Sequence, residues 1–456
     1  MVILTLKDSD DHLKLNMKLI LSHPIANSSP GNMTNATSKS RVDVLMIGSG
    51  EYTTGYVHGA ASKSDKSKGV VALTLIDLRR REKTGRLGIC GTNGKKFPEI
   101  RKYMQQAIGE AYKDMDLTMD WWPGDDTVDS KAYIQALDAF KPGDACVIFT
   151  PDDTHFDMAL EAIRRGIHVM ITKPAVKTLA EHRQLYEEAK KKNVLVTIEV
   201  HKRFDPMYSD ARDRIRESLG DFSYFYSFMS QPKFQLDTFR SWAGISSDIS
   251  YYLNSHHIDF HMWSLYGRAR PVRISAMGST GVAKSQYNID TEDIITLTVQ
   301  WINLSSKTIG TAVYTSSWIS AKSDTHTQQK FFYVGHHGEV NIDQAHRGYT
   351  LASDTNGYLS INPLYMKLVP TDGYFSGQLG YGYRSFEAFI DAVADLNDKR
   401  IEIDTCDRKL PTIGTTLQET AILEAGRISL DNQSAMVEII YENETSVIPT
   451  ELKLLK

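Results

Sequence analysis

Gly48-Ser49-Gly50 closes the apolar run Val42-Asp43-Val44-Leu45-Met46-Ile47. Glycines at the end of a strand supply backbone without Cβ where the chain must turn sharply and approach a pyrophosphate, with the next helix N-terminus aimed at the phosphates. As a dinucleotide fingerprint the run is incomplete, because the third glycine would fall at Thr53 and the next one stands at Gly55. Taken alone it fits an ordinary strand-to-helix turn equally well. Asp77 tilts the balance: read as closing a second strand, Val70 to Ile76, its carboxylate can accept both ribose hydroxyls of an adenosine. Arg79, Arg80 and Arg81 pull toward a ribose bearing a 2′-phosphate, which guanidinium groups can pair. Lys173-Pro174 ends another apolar run, His168 to Thr172. It sits at the edge where open α/β sheets place ligands, although a lysine there is ordinarily a solvated loop residue.

Strands and helices must hold these groups. Further buried strands are expected at Ala145 to Phe149, His168 to Thr172 and Val194 to Val200, and helices at Pro98 to about Tyr112, Ser130 to Phe140, His155 to Gly166 and Leu179 to Lys192. The basic, Gly-rich stretch 80–100 reads as loop. Strands alternating with helices imply a parallel, doubly wound sheet. After Pro206 the rhythm changes. A helix from Met207 to Leu219 precedes strand-like runs at Phe222 to Met229, Val272 to Met277, Ile294 to Trp301, Thr308 to Ser317, Lys330 to Val334 and Glu339 to Ile342. Several alternate apolar with polar residues, as in an antiparallel sheet wet on one face. Helices are expected near Tyr383 to Leu396 and Thr412 to Leu430.

The 456 residues carry 52 Lys+Arg against 56 Asp+Glu, and 41% are hydrophobic, which excludes disorder and leaves room for two or three domains. No basic stripe offers a footprint for nucleic acid. No window of about 18 apolar residues suggests a membrane span. The N-terminal apolar runs are cut by Lys7, Asp8, Asp10 and Asp11, unlike a secretory signal. Cys90, Cys146 and Cys406 are odd in number and widely spaced, so neither a disulfide framework nor a metal site is expected, and the setting reads as reducing and cytoplasmic. Residues 26–40 have almost no large apolar side chain and read as a flexible lead-in. Their Asn27, Asn32 and Asn35 triplets match the glycosylation pattern by chance, and Met17 or Met33 is an alternative start.

Thr150-Pro151-Asp152-Asp153-Thr154-His155, then Ala159, Gly166, His168-Val169 and Thr172-Lys173-Pro174, closely resemble the core of the glucose-fructose oxidoreductase / inositol dehydrogenase / MocA (Gfo/Idh/MocA) family. His201-Lys202-Arg203-Phe204-Asp205-Pro206 looks like that family's Asn-x-Arg-Phe-x-Pro segment, with His201 in place of Asn. The resemblance runs from roughly Val42 to Ser429. It implies an α/β fold: a flexible segment 1–40, a Rossmann domain over 41–175 binding NADPH or NADH, and an α+β domain over 176–456 with a large open, mainly antiparallel sheet for substrate and oligomerisation. Cofactor contacts are then expected from Gly48, Gly50, Glu51, Tyr52, Thr53, Asp77, Arg79, Thr150, Pro151, His155 and Lys173.

The resemblance makes Lys173 catalytic, at the junction of nicotinamide and substrate. Thr172 replaces the family's Glu, a loss expected to lower the lysine pKa. The stretch Ser247 to Asp259 is similar to a family helix facing the nicotinamide, usually Asp-x-Gly-x-His-x-x-Asp. Here Tyr252 falls on its first Asp and Asn254 on its Gly, while His256 and Asp259 match. On a helix Tyr252, His256 and Asp259 share one face, so His256 and Tyr252 are expected to act in proton transfer. His257 is expected to be a surface or interface residue. Lys202, Arg203, Trp242, Asn254 and Asp259 are expected around the substrate, with Arg240 as a further cation. For Arg203 a structural ion pair is an equal alternative to a substrate carboxylate.

These roles describe hydride transfer with one proton supplied by the protein. Within the family, the Gly48 to Gly55 run, the basic residues after Asp77 and the stretch Asp248 to Phe260 look most like fungal D-galacturonate reductases, which reduce the uronic aldehyde to L-galactonate. An NAD-dependent sugar or inositol dehydrogenase and a non-catalytic nucleotide-sensing regulator are the alternatives. The open sheet implies a homo-oligomer, a dimer or tetramer.

Overall fold

The computed structural model describes residues 39–455 except 63, 65 and 356; the expectations for the lead-in up to residue 38 lie outside the described residues. The first sheet opens with β1 (Val42–Ile47), and Gly48-Ser49-Gly50 leads into α1 (Glu51–Thr54), a helix of one turn. Gly55 stops it in the left-handed region, φ 77°, where a Cβ would stand 2.3 Å from the carbonyl oxygen of Ser67. The chain then leaves on an excursion carrying the small hairpin β2 (Tyr56–Val57) and β3 (Ala60–Ala61). It returns where Val70 N donates to Tyr52 O at 2.8 Å, and helix resumes as α2 (Val71–Arg80).

This interrupted helix overturns the expected strand Val70 to Ile76. All residues from Val71 to Leu78 are buried, and a segment covered on every side shows no 3.6-residue stripe to distinguish it from a buried strand. The true second strand is β4 (Thr84–Cys90), within the stretch expected to be loop. After it come α3 (Phe97–Met104), β5 (Asp120–Trp122), α4 (Ala132–Asp138), β6 (Ala145–Ile148), α5 (His155–Arg164), β7 (His168–Thr172), α6 (Leu179–Lys192) and β8 (Val196–Glu199). The six strands pair in the order β5-β4-β1-β6-β7-β8, all parallel. The parallel sheet therefore runs past residue 175 to Glu199. Leu45, Ile47 and Ile148 pack with α4, α5 and α6 on one face. Val44, Met46 and Ile89 pack with α2 and α3 on the other.

The second layer starts with α7 (Pro206–Ser218), capped by Asp205, whose carboxylate accepts from Met207 N at 3.0 Å. It continues through β9 (Phe222–Pro232), α8 (Leu236–Phe239), α9 (Ser255–Leu265), β10 (Ala269–Ser279), α10 (Val282–Tyr287), β11 (Ile294–Asn303), β12 (Ile309–Ser320), β13 (Gln328–Gly335) and β14 (Gly338–Asp343). A hairpin follows, β15 (Thr350–Ser353) and β16 (Gly357–Ser360), then α11 (Tyr381–Asn397), α12 (Leu417–Asp431), β17 (Val437–Tyr441) and β18 (Pro449–Leu454). Eight strands pair as β14-β13-β9-β12-β11-β10-β17-β18, antiparallel except for β9 with β12. Side chains from α7, α9 and α12 cover its inner face. By contrast α11 packs back on the first sheet, with Phe386, Phe389 and Ile390 beside Val44 and Val71. Among the described residues no helix is long and apolar enough to cross a membrane, and the three cysteines are buried and unpaired.

Candidate active site

The carboxyl ends of β1, β4, β6, β7 and β8 open on one cleft of about 750 Å³, the crevice in which open parallel sheets take ligands. Gly48, Gly50, Glu51 and Tyr52 line one end together with Thr92, Thr150, Pro151 and Lys173. Gly48 has φ 112°, and a Cβ there would stand 2.0 Å from Phe149 O, so only glycine lets β1 pass this close to the end of β6. At Gly50 a Cβ would meet no heavy atom within 4 Å, leaving that backbone open to the cleft it lines.

Several expected cofactor residues take other positions. Thr53 is buried in α1 and off the cleft wall. Glu51 is on the wall, with its carboxylate accepting from Ser64 Oγ at 2.8 Å and from Ser62 Oγ, which ties down the excursion. His155 lies beneath the wall, its ring nitrogens 2.9 Å from Thr150 O and 3.0 Å from Pro174 O, so it braces the two cleft loops against each other. Asp77 is a correction: it lies inside α2, fully buried, accepting from Arg80 Nη2 at 2.6 Å and Tyr383 OH at 2.7 Å. Arg79 likewise turns to the carbonyls of Asp116 and Thr118. Because the segment before Asp77 is helix, the strand end that reaches the cleft beside β1 is the tip of β4, where Gly91 and Thr92 line the wall and no carboxylate does.

At the centre, Lys173 is half-buried, with Nζ donating to Tyr252 O and lying 4.0 Å from the centre of the Tyr252 ring. Burial lowers its pKa to about 8 against the opposing pull of Asp152, Glu199 and Glu419. These three carboxylates partly replace the one that Thr172 lacks. Asp152 itself is pushed up by burial and accepts from Ser247 Oγ. His256, on the first turn of α9, is buried on the cleft wall, and its Nδ1 has no hydrogen-bond partner among the described residues. Burial first, then the charges of Lys173, His201 and Lys202, hold its pKa well below that of an ordinary imidazole. Its ring is centred 5.1 Å from that of His201, whose Nδ1 is 3.1 Å from Glu199 Oε1.

Tyr252 and Trp242 are on the wall, ring centres 5.4 Å apart. A widened turn, Ser250–Asn254, precedes α9 and directs Asn254 to Ser250 Oγ at 3.0 Å, off the cleft. Arg203 and Asp259 are corrected as substrate contacts: they form a buried pair, Nη2 to Oδ1 2.6 Å and Nε to Oδ2 2.9 Å, and neither lines the cleft. Lys202 is also off the wall, donating to Gln344 Oε1 at 2.6 Å and to Gln329, two amides that do line it; burial lowers its pKa to about 7. Arg240 is exposed on Asp237. His257 is buried, its Nε2 2.9 Å from Tyr208 OH, and not at the surface.

His201, Glu199, Tyr365, Tyr381, Gln329 and Gln344 were not anticipated on this wall. Glu199 and His201 lie at the end of β8, so the rule that indicated Lys173 applied to them too. Nothing in the spacing of the loops 321–327 and 344–366 marked them. Among the described residues no group of His, Cys, Asp or Glu is placed to hold a metal ion. A nicotinamide dinucleotide fits what is present: the volume of about 750 Å³ is in the range of ligand pockets, and a Cβ at Gly50 would meet no heavy atom within 4 Å, so the backbone there is open to the cleft.

The fold and cleft define a dinucleotide-binding α/β protein with an appended open sheet. Residues 42–200 match the model of the oxidoreductase family with an NAD-binding Rossmann fold, GFO_IDH_MocA, so this part of the chain carries the NAD-binding fold of that family. The uncharacterized oxidoreductase YdgJ of Escherichia coli (strain K12) is 34% identical over 118 residues, 25% of this chain and 34% of the relative. The scyllo-inositol 2-dehydrogenase (NAD(+)) of Bacillus subtilis (strain 168) is 39% identical over 75 residues, 16% of this chain and 22% of the relative. The chain thus matches about a third or less of the length of these curated relatives. In fold the likeness is wider: an inositol dehydrogenase homolog from Azotobacter vinelandii, complexed with NADH and myo-inositol, superposes with TM-score 0.61 at 16% identity over 87% of this chain and 97% of that one. A scyllo-inositol dehydrogenase from Lactobacillus casei with NAD(H) and scyllo-inositol gives 0.58 at 13%, over 88% and 99%.

Proposed function

We propose that this protein is an NAD(P)-dependent oxidoreductase acting on a hydroxyl or aldehyde of a sugar-like substrate. The observation that carries this reading is the meeting of Lys173, His256 and Tyr252 with the glycine turn on the wall of one cleft. When bound, the nicotinamide supplies or removes a hydride. Gly48, Gly50, Thr150 and Pro151 hold the dinucleotide against the sheet edge. Lys173, with a pKa of about 8, is the proton donor at neutral pH and places its charge on the oxygen that becomes alkoxide. His256 stays neutral there and orients the same oxygen by hydrogen bonding, while the Tyr252 and Trp242 rings exclude water. This division differs from the expected one, in which His256 or Tyr252 gave the proton.

Reduction of a uronic aldehyde, D-galacturonate to L-galactonate, is the specific substrate reading, supported by the resemblance of the glycine turn and of Asp248 to Phe260. The inositol reading has its own support. No arginine is among the cleft-lining residues, whereas the amides of Gln231, Gln329, Gln344 and Asn362 are, which suits a neutral polyol. Turnover with galacturonate, other uronates, neutral aldoses and inositols, followed by absorbance of the reduced nicotinamide with NADH and NADPH, separates the two. No turnover in either direction, with dinucleotide still bound, would leave the regulator reading. Tyr224, Met277 and Ile309 are exposed on the outer face of the eight-stranded sheet, and this face is the proposed seat of a second copy, testable by sedimentation.

A further inference from the structure

Lys66 and Lys173 are the two lysines among the cleft-lining residues, and no arginine joins them. Lys66 rides on the excursion that interrupts the first helix. It is only 8% exposed, and its Nζ lies 5.2 Å from the centre of the Tyr52 ring, two residues beyond Gly50. Its charge also reaches Lys173, whose ammonium form it disfavours. The excursion is fastened to α1, which follows the glycine turn, where Ser64 Oγ donates to Glu51 Oε1 at 2.8 Å and Val70 N donates to Tyr52 O at 2.8 Å, and to α3, where Tyr103 OH donates to Ser67 O. A buried lysine held this way stays beside the turn.

The electrostatics of that turn ask for a cation. A full-length helix after the glycines presents about half a positive charge to a bound pyrophosphate. Here α1 has a single turn, too short to build that dipole, and its first residue, Glu51, adds a carboxylate to the same wall. We propose that Lys66 contacts the pyrophosphate of the bound dinucleotide and supplies the positive charge that the interrupted helix lacks. The proposal rests on the dinucleotide-dependent reading above, and assigns the excursion 55–70 a part in cofactor binding.

The test is calorimetric titration of the wild-type protein, Lys66→Met and Lys66→Arg with ADP-ribose, NADH and NADPH at low and moderate salt. Methionine keeps an apolar stem over Tyr52 and removes the charge; Lys66→Gln replaces it if that variant fails to fold. Loss of a charge-assisted phosphate contact is expected to raise Kd for all three ligands about tenfold or more and to flatten the salt dependence. Arginine should stay within about threefold, with thermal melting unchanged in every variant. Unchanged ADP-ribose affinity in Lys66→Met overturns the proposal, including the case in which only the KM for galacturonate rises. Wild-type protein that binds none of the three ligands defeats the dinucleotide reading itself, whereas wild-type binding with an indifferent variant defeats this inference alone.

Discussion

Lys173 donates its Nζ hydrogen to the main-chain carbonyl of Tyr252 and lies 4.0 Å from the centre of that residue's ring. The end of β7 is thereby joined to the turn before α9, so the two layers share one amine. Aromatic carbon on one side favours the cation, but burial outweighs it and brings the pKa to about 8. Since the ammonium is the acid, kcat/KM for reduction should be level below pH 8 and fall about tenfold per unit above it, with oxidation favoured where reduction fades. Lys173→Met should lower kcat by about 10² to 10⁴ while dinucleotide affinity by fluorescence titration persists. A flat profile across pH 7–10 would remove the lysine from that role.

His256 is held neutral by burial and by the charges around it. No acidic limb near pH 6 should therefore appear in kcat. His256→Gln, which keeps an uncharged donor, should retain more activity than His256→Ala. Equal loss in both variants would point to the imidazole proton itself.

Arg203 engages both oxygens of Asp259 side-on, through Nε and Nη2. Arg203→Ala strands a buried carboxylate and should cost about 3–5 kcal/mol in urea unfolding, while Arg203→Met with Asp259→Leu should recover most of that. KM should change equally for galacturonate and a neutral aldose. A selective rise for uronates would restore the arginine to the substrate.

Asp77 holds Arg80, Tyr383 and Gln378. Asp77→Asn should therefore lower stability by about 1–3 kcal/mol without altering the choice between NADH and NADPH. Thr92, at the tip of β4 on the cleft wall, is where that choice can be moved. Thr92→Asp should raise the KM for NADPH at least about tenfold relative to NADH. Preference that follows residue 77 instead would contradict the strand order.

Most elements were legible because their apolar patterns had the right period: His168–Thr172 and Leu179–Lys192 fall where the spacing put them. Val71–Arg80 was not, since a helix buried all round looks like a strand, and Thr84–Cys90, with two glycines and an arginine, looked like loop. That one exchange placed Asp77 in the interior and turned Arg79 to the carbonyls of Asp116 and Thr118, both off the cleft wall. The strand-end rule indicated the place of Lys173, but only the motif resemblance suggested that Lys173 and His256 meet on one cleft wall, because nothing in their spacing says that two distant segments converge. Lys66 and Gln344 arrive on the wall from irregular segments that carry no periodic signal, and Gln329 stands at the start of β13, just before the expected run Lys330 to Val334.

The helix α11 draws the two halves of the chain into one order of assembly. Tyr383, Phe386, Phe389 and Ile390 share one apolar layer with side chains of β1, α2, β4 and α3, all of which lie before residue 200. A ribosome-bound chain halted near residue 200 would therefore have every strand of the first sheet and still show water a bare flank. Maturation of the first sheet must wait until α11 has been made.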